Sequence, residues 1–157
     1  MSVVRFTLCV FACFVFMSSS VSVAQEDSDS GPLTDEFVAQ VLKQTRPRVK
    51  DLKISDTEFV GLETAEELAD PLLTIKQARV VLGRGIISGM AEWCKLDWQS
   101  KSFIPFMKHQ RTLGYSSKQV AYIGMLHGYG MSISTKATEN KECDTDNRKR
   151  VLSYFGE

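Results

Sequence analysis

Apolar residues recur at every third or fourth position from Ile75 to Trp93, and this spacing constrains the fold more than any other feature of the chain. Side chains three and four residues apart lie on one face of an α-helix, whereas a half-buried strand requires strict alternation. The residues on the predicted face are Ile75, Ala78, Leu82, Ile86, Gly89, Met90 and Trp93. Polar residues such as Arg84, Ser88 and Glu92 lie outside it. The pattern therefore predicts one helix of about five turns.

Three glycines fall within this helix, in the stretch VVLGRGIISG, whose spacing is also compatible with a phosphate-binding turn. A dinucleotide fold places such glycines between a strand and a helix, with an acidic residue about 20 positions further on. Here the helical pattern continues through Gly83 and Gly85. The later segment SKSFIPF contains neither a clear strand nor the acidic residue. The sequence therefore favours a helix over a nucleotide site.

Glycine pairs four residues apart occur in two predicted helices, Gly85 with Gly89 and Gly124 with Gly128. Each glycine in a helix interior costs about 1 kcal/mol relative to alanine. We expect the two strips to face each other, or equally close neighbours, at helix crossings. The alternative is that the glycines make these helices locally flexible and no other helix packs closely against them.

Capping signals predict further helices along the chain. The starts are marked by Thr34, by Thr64 with Glu67, by Pro105 in a first turn, and by Ser116 with Gln119. A last helix is predicted after Cys143, and the polar segment 134–142 before it is predicted to be a loop. Residues 47–63 fit either a loop or a helix. The predicted architecture is a compact all-α single domain, a bundle of four to six helices with one disulfide.

The first 24 residues predict a cleaved signal peptide. A largely apolar run of twelve residues (Phe6–Met17) follows one arginine, and Ser22 and Ala24 supply the small side chains of a cleavage site. A membrane anchor, the alternative, needs about 20 apolar residues. Residues 25–32 are predicted to be a disordered acidic leader, and residues 33–157 a single helical domain. We therefore expect a periplasmic or secreted protein without a stable membrane anchor after cleavage.

The charge and the cysteine content further limit the kinds of partner and bound group that the sequence predicts. The chain carries 19 basic and 19 acidic residues, and loss of Arg5 with the signal leaves a net charge of −1, which disfavours nucleic acid as a partner. Cys94 and Cys143 remain after cleavage and most simply form one disulfide, although free thiols or an intermolecular bridge are alternatives. We expect such a bond to protect the enclosed segment 97–131, which would open first on reduction. No metal or cofactor is expected.

Candidate catalytic residues are Glu92, Asp97 and His127. Two carboxylates near two tryptophans are compatible with a small secreted glycosidase, in which one carboxyl acts as acid and the other as base or nucleophile. The simpler interpretation places Glu92 at a helix end and Asp97 as the cap of the next segment. His127 lies in an apolar stripe, where it is either a general base or, as we favour, a hydrogen-bonded core histidine.

A second stripe on the Gly124 helix contains Tyr122, Met125 and Tyr129. Aromatic and methionine side chains are enriched at interfaces, so these residues are the candidate partner surface if they are exposed. Burial within the bundle is the alternative. Basic residues also alternate with aromatic ones from Trp98 to Arg111, a pattern compatible with either anion binding or helix packing.

The motifs RGIISGMAEWC and IGMLHGYGM resemble those of small helical periplasmic immunity proteins that neutralise type VI-secreted amidases. The resemblance spans residues 75–143 and implies a folded inhibitor of a protein partner without catalysis. In such proteins the second cysteine tends to close the chain, whereas Cys143 precedes another helix. The sequence thus favours an exported, non-enzymatic binding protein with a protein partner, and a small hydrolase is the alternative.

Overall fold

The computed structural model describes residues 33–156, which contain six α-helices and no named β-strand. The helices are α1 (Asp35–Thr45), α2 (Ala65–Ala69), α3 (Ile75–Trp93), α4 (Ile104–Thr112), α5 (Ser117–Thr138) and α6 (Thr145–Ser153). Cys94 and Cys143 form a disulfide. The predicted all-α fold with one disulfide is therefore confirmed. The predicted signal peptide (1–24) and leader (25–32) lie outside the described residues.

Side-chain caps begin α1, α2 and α5 at the predicted residues. The Thr34 hydroxyl accepts a hydrogen bond from the backbone N–H of Phe37 at 3.2 Å. Complete capping boxes begin three more helices, at Thr64 for α2, at Thr74 for α3 and at Ser116 for α5. Each such cap contributes about 1 kcal/mol, because it satisfies N–H groups that have no partner inside the helix.

The segment that the sequence left undecided contains a 3₁₀ helix and a short paired loop. The 3₁₀ helix follows α1 directly at Arg46–Asp51, with Pro47 in its first turn. Beyond it, the Val60 N–H donates to the Leu52 carbonyl at 2.8 Å, and Lys53 forms an isolated antiparallel bridge with Phe59. The loop therefore returns on itself beside the helices.

One helix boundary differs from the predicted one, and one helical turn was not predicted. Pro105 lies in the first turn of α4, as predicted, and a π-helical turn at Gln99–Phe103 precedes that helix. The predicted loop at 134–142 is wrong in its first part, because α5 continues to Thr138. The Ser134 hydroxyl donates to the Ile86 carbonyl of α3 at 2.7 Å, and the Thr138 hydroxyl donates to the Ser134 carbonyl at 2.8 Å. The hydroxyls of Ser134 and Thr138 therefore find hydrogen-bond acceptors in the helix backbone, so this polar segment can remain helical.

The fold is arranged around α3 and α5, which share the largest helix–helix contact. The two helices run parallel, because Gly85 lies against His127 and Gly130 and Gly89, one turn later, lies against Met131 and Ser134. The main core lies along this pair and under α1 and α4. Its fully buried members include Val38, Val41, Leu82, Ile123 and Leu126. A smaller cluster joins the end of α3 to α6 through Ala91, Cys94 and Val151. The disulfide therefore lies in the smaller cluster.

Glycines create the close approach of α3 and α5. A Cβ atom built on Gly85 would overlap the His127 carbonyl oxygen and lie 3.0 Å from Cα of Gly130. One built on Gly89 would lie 2.8 Å from the Met131 carbonyl oxygen. The prediction of a close crossing is therefore confirmed for Gly85 and Gly89.

The prediction that Gly124 and Gly128 lie at a close crossing is wrong, because Gly130 is the glycine of α5 that lies against Gly85. A Cβ atom on Gly124 would meet only Met107 Cε, at 3.8 Å, and one on Gly128 would have nothing within 4 Å. Both glycines point away from the crossing, since the register of the two helices places Gly130 against Gly85.

Candidate functional site

His127 belongs to a buried polar cluster with Ser88 and Ser102. The Ser88 hydroxyl donates to Ser102 Oγ at 2.8 Å and lies 3.0 Å from His127 Nε2. Because the Ser88 proton is directed at Ser102, Nε2 donates to Ser88 in this arrangement. All three side chains are at most 2% exposed. The cluster joins α3, α5 and the π-helical turn, and Ser88 lies inside the protein although the sequence pattern placed it off the apolar face.

Aromatic rings surround the imidazole of His127. The centroid of Phe103 lies 4.8 Å away, that of Phe106 6.1 Å and that of Trp98 6.3 Å. Burial, together with the nearby positive charge of Arg84, lowers the pKa of His127 from 6.5 to about 4. The imidazole is therefore neutral at pH 7 and enclosed by side chains, as expected of a core histidine.

Acidification is expected to destabilise the fold through His127. The unfolded chain takes up a proton near pH 6.5, whereas the folded chain does so only near pH 4. The contribution of this residue to stability is therefore complete above pH 6.5 and is lost progressively as the pH falls toward 4, where the loss reaches about 3 kcal/mol. Urea unfolding between pH 7 and pH 4 measures this loss.

The His127→Gln variant should lose that part of the pH dependence. An NMR titration of the imidazole gives an independent reading, with a midpoint near pH 4 in the folded protein. A midpoint near 6.5, or an unchanged pH dependence in the variant, would contradict the burial argument.

The two candidate carboxylates have surroundings that differ from those of His127. The Asp97 carboxylate accepts hydrogen bonds from the hydroxyl and, at 3.1 Å, from the backbone N–H of Ser100. These bonds lower the pKa of Asp97. Glu92 is exposed beside Trp93 in a separate surface groove. Asp97 thus caps the π-helical turn, and the described hydrogen bonds do not join the three candidate residues into one site.

Tyr122 is only 1% exposed, so for this residue the alternative of burial within the bundle holds. Its hydroxyl lies 2.9 Å from Thr45 Oγ1 and so links α5 to α1. Burial raises the pKa of this phenol. Met125 and Tyr129 are half-buried and pack against the main core. The predicted stripe therefore serves mainly to pack α5 into the bundle.

A surface groove between α3 and α4 was missed by the sequence analysis. It encloses about 400 Å³, and its two most exposed apolar side chains are Val80, 60% exposed, and Leu113, 53% exposed. The basic residues in its lining are Lys76, Arg84 and His109. We call it the α3–α4 groove. Its only sequence signal is an apolar Val80 outside the predicted buried face.

Within residues 33–156, no helix is long and apolar enough to cross a membrane, and no group of three or more His, Cys, Asp or Glu residues could hold a metal ion. The disulfide is compatible with an oxidising extracytoplasmic compartment. In comparisons with known proteins, no family model, no curated protein and no solved structure matches the chain.

Proposed function

We propose that this chain is an exported, non-enzymatic binding protein that acts through the α3–α4 groove on a protein partner. The observation that carries the proposal is the pairing of exposed Val80 and Leu113 in one concave surface. Burial of such apolar side chains against a partner lowers the free energy of the complex, because it removes them from water. A concave shape gives that contact a defined position. The enclosure of His127 supports a role without catalysis.

The charge of the groove indicates the chemistry of the partner. Lys76, Arg84 and His109 contribute positive or titratable nitrogen groups, and none of the described lining residues is acidic. A segment that carries apolar side chains flanked by carboxylates would complement both features. The resemblance to immunity proteins gives this proposal a specific form, in which the chain inhibits a secreted enzyme by occupying its surface.

Site-specific photo-crosslinking in the native cell envelope tests the groove. A crosslinking amino acid at Val80 or at Leu113 is expected to capture the same protein. Ile104 is the matched control, because it is 58% exposed on α4 but does not line the groove. Equal capture of that protein from Ile104 would contradict binding through the groove.

The captured partner then permits a quantitative test. Val80→Glu and Arg84→Glu are each expected to weaken its binding by about tenfold or more, because each places a negative charge opposite the carboxylates of the partner. Ile104→Glu should leave the dissociation constant unchanged. Unaltered binding by both groove variants, with unaltered melting temperatures, would overturn the proposal.

A further inference from the structure

A second cavity lies on the other side of Tyr115, between the 53–59 loop, the end of α4 and the first half of α5. It encloses about 320 Å³, within the range of sites that hold small molecules. Tyr115 is the only described residue that lines both this cavity and the α3–α4 groove. We call this second cavity the Gly124 pocket. Its apolar or small lining residues include Ile54, Met107, Val120, Ala121 and Gly124.

The absence of a side chain at Gly124 keeps this pocket open. Glycine is among the least favourable residues in a helix interior, and the α3–α5 crossing does not require it here. A Cβ atom on Gly124 would have only Met107 Cε within 4 Å, at 3.8 Å. The space above this glycine is therefore cavity, and a larger side chain would occupy it.

Two cationic side chains line the same pocket, Lys53 from the loop and Arg111 from the last turn of α4. Lys53 is held by its β-bridge to Phe59, and its Nζ lies 5.7 Å from the centroid of the Phe59 ring. None of the described lining residues is acidic. The pocket thus combines two positive charges and the polar side chains of Tyr115 and Ser117 with an apolar patch around Gly124. Together these suit an anionic head and a short apolar tail.

We propose that the Gly124 pocket binds a small amphiphilic carboxylate. The carboxylate pairs with Lys53 and Arg111, and its short alkyl chain lies against Gly124, Met107 and Val120. This function is independent of the protein-binding groove, because a ligand here leaves Val80 and Leu113 uncovered.

Octanoate is the probe, and 1-octanol is the matched neutral control. In two-dimensional ¹H–¹⁵N NMR titrations of the protein, octanoate is expected to shift amides of Ile54, Val120 and Gly124. Because each exposed ion pair contributes modestly, the Lys53→Gln/Arg111→Gln variant should bind octanoate about tenfold more weakly. Octanol is expected to bind wild type about as weakly as octanoate binds that variant.

Glycine variants separate the pocket from non-specific uptake. Gly124→Leu should abolish octanoate binding by filling the cavity, whereas Gly128→Leu, one turn later and with nothing within 4 Å of its Cβ position, should leave it intact. No binding of octanoate to the wild type, equal loss in both glycine variants, or shifts centred on Val80 and Leu113 would overturn the proposal. If Gly124→Leu does not fold, the charge variant decides: unchanged binding in that variant refutes the pocket.

Discussion

Replacing Gly85 with alanine is expected to lower the free energy of unfolding by about 3 kcal/mol, at the upper end of the usual cost of overpacking a core. The new methyl group would overlap the carbonyl oxygen of His127 and crowd Cα of Gly130. Both are backbone atoms, so α3 and α5 must separate to admit it. Glycine-to-alanine substitution within a helix normally raises stability by about 1 kcal/mol, so the sign of the effect is diagnostic. Urea denaturation of the variant measures it.

Two other glycines serve as controls for helix propensity. A Cβ atom on Gly83, in the same helix, would make only an ordinary 3.8 Å contact with Leu33, and one on Gly128 would be in open space. Alanine at either position is expected to raise the free energy of unfolding by up to about 1 kcal/mol. Wild-type stability in Gly85→Ala, or a comparable loss in Gly83→Ala, would contradict the close-crossing argument.

The features of the fold that the sequence predicted correctly depend on residues close together in the chain. A capping box needs a Ser or Thr and a Glu or Gln three residues later, so Thr64 and Ser116 could be recognised as helix starts. The long α3 was equally accessible, because its apolar spacing extends over five turns. Both signals are local and need no knowledge of the partner helix.

The features that were missed depend on contacts between distant segments. Nothing local distinguishes Gly130 from Gly124 or Gly128, since only the register of α5 against α3 decides which glycine lies at the crossing. Ser88 was placed outside the buried face, yet Ser102 and His127 give its hydroxyl buried partners. The α3–α4 groove likewise combines residues from two helices that the chain separates by the π-helical turn. Such groupings require the tertiary fold.

Reduction of the Cys94–Cys143 disulfide is expected to lower the free energy of unfolding by about 4 kcal/mol. The bond joins residues 49 positions apart, and in the chain-entropy model a loop of this length gives that stabilisation by restricting the unfolded chain. The melting temperature should fall by roughly 10–20 °C for a domain of this size. Scanning calorimetry with and without dithiothreitol measures the shift, and thiol titration verifies reduction.

A Cys94→Ala/Cys143→Ala variant provides the control. It should unfold near the temperature of the reduced wild type and should not respond to dithiothreitol. An unchanged melting temperature after complete reduction would show that the bond restricts the unfolded chain less than its loop length implies.

The structure also changes the prediction of which segment of the protein opens first after the disulfide is reduced. The sequence led us to expect segment 97–131, but α5 lies within that loop and packs along α3 in the main core. In contrast, α6 is held by the smaller cluster, in which Val151 is fully buried, and by an Arg148 Nη1 hydrogen bond to the Cys94 carbonyl at 2.7 Å. We therefore expect amides of α6 to lose hydrogen-exchange protection first, while those of α5 stay protected. Earlier exchange in α4 and α5 would instead show that the disulfide stabilises the main core directly. The smaller cluster at the end of α3 would then depend on the main core and would not hold α6 independently.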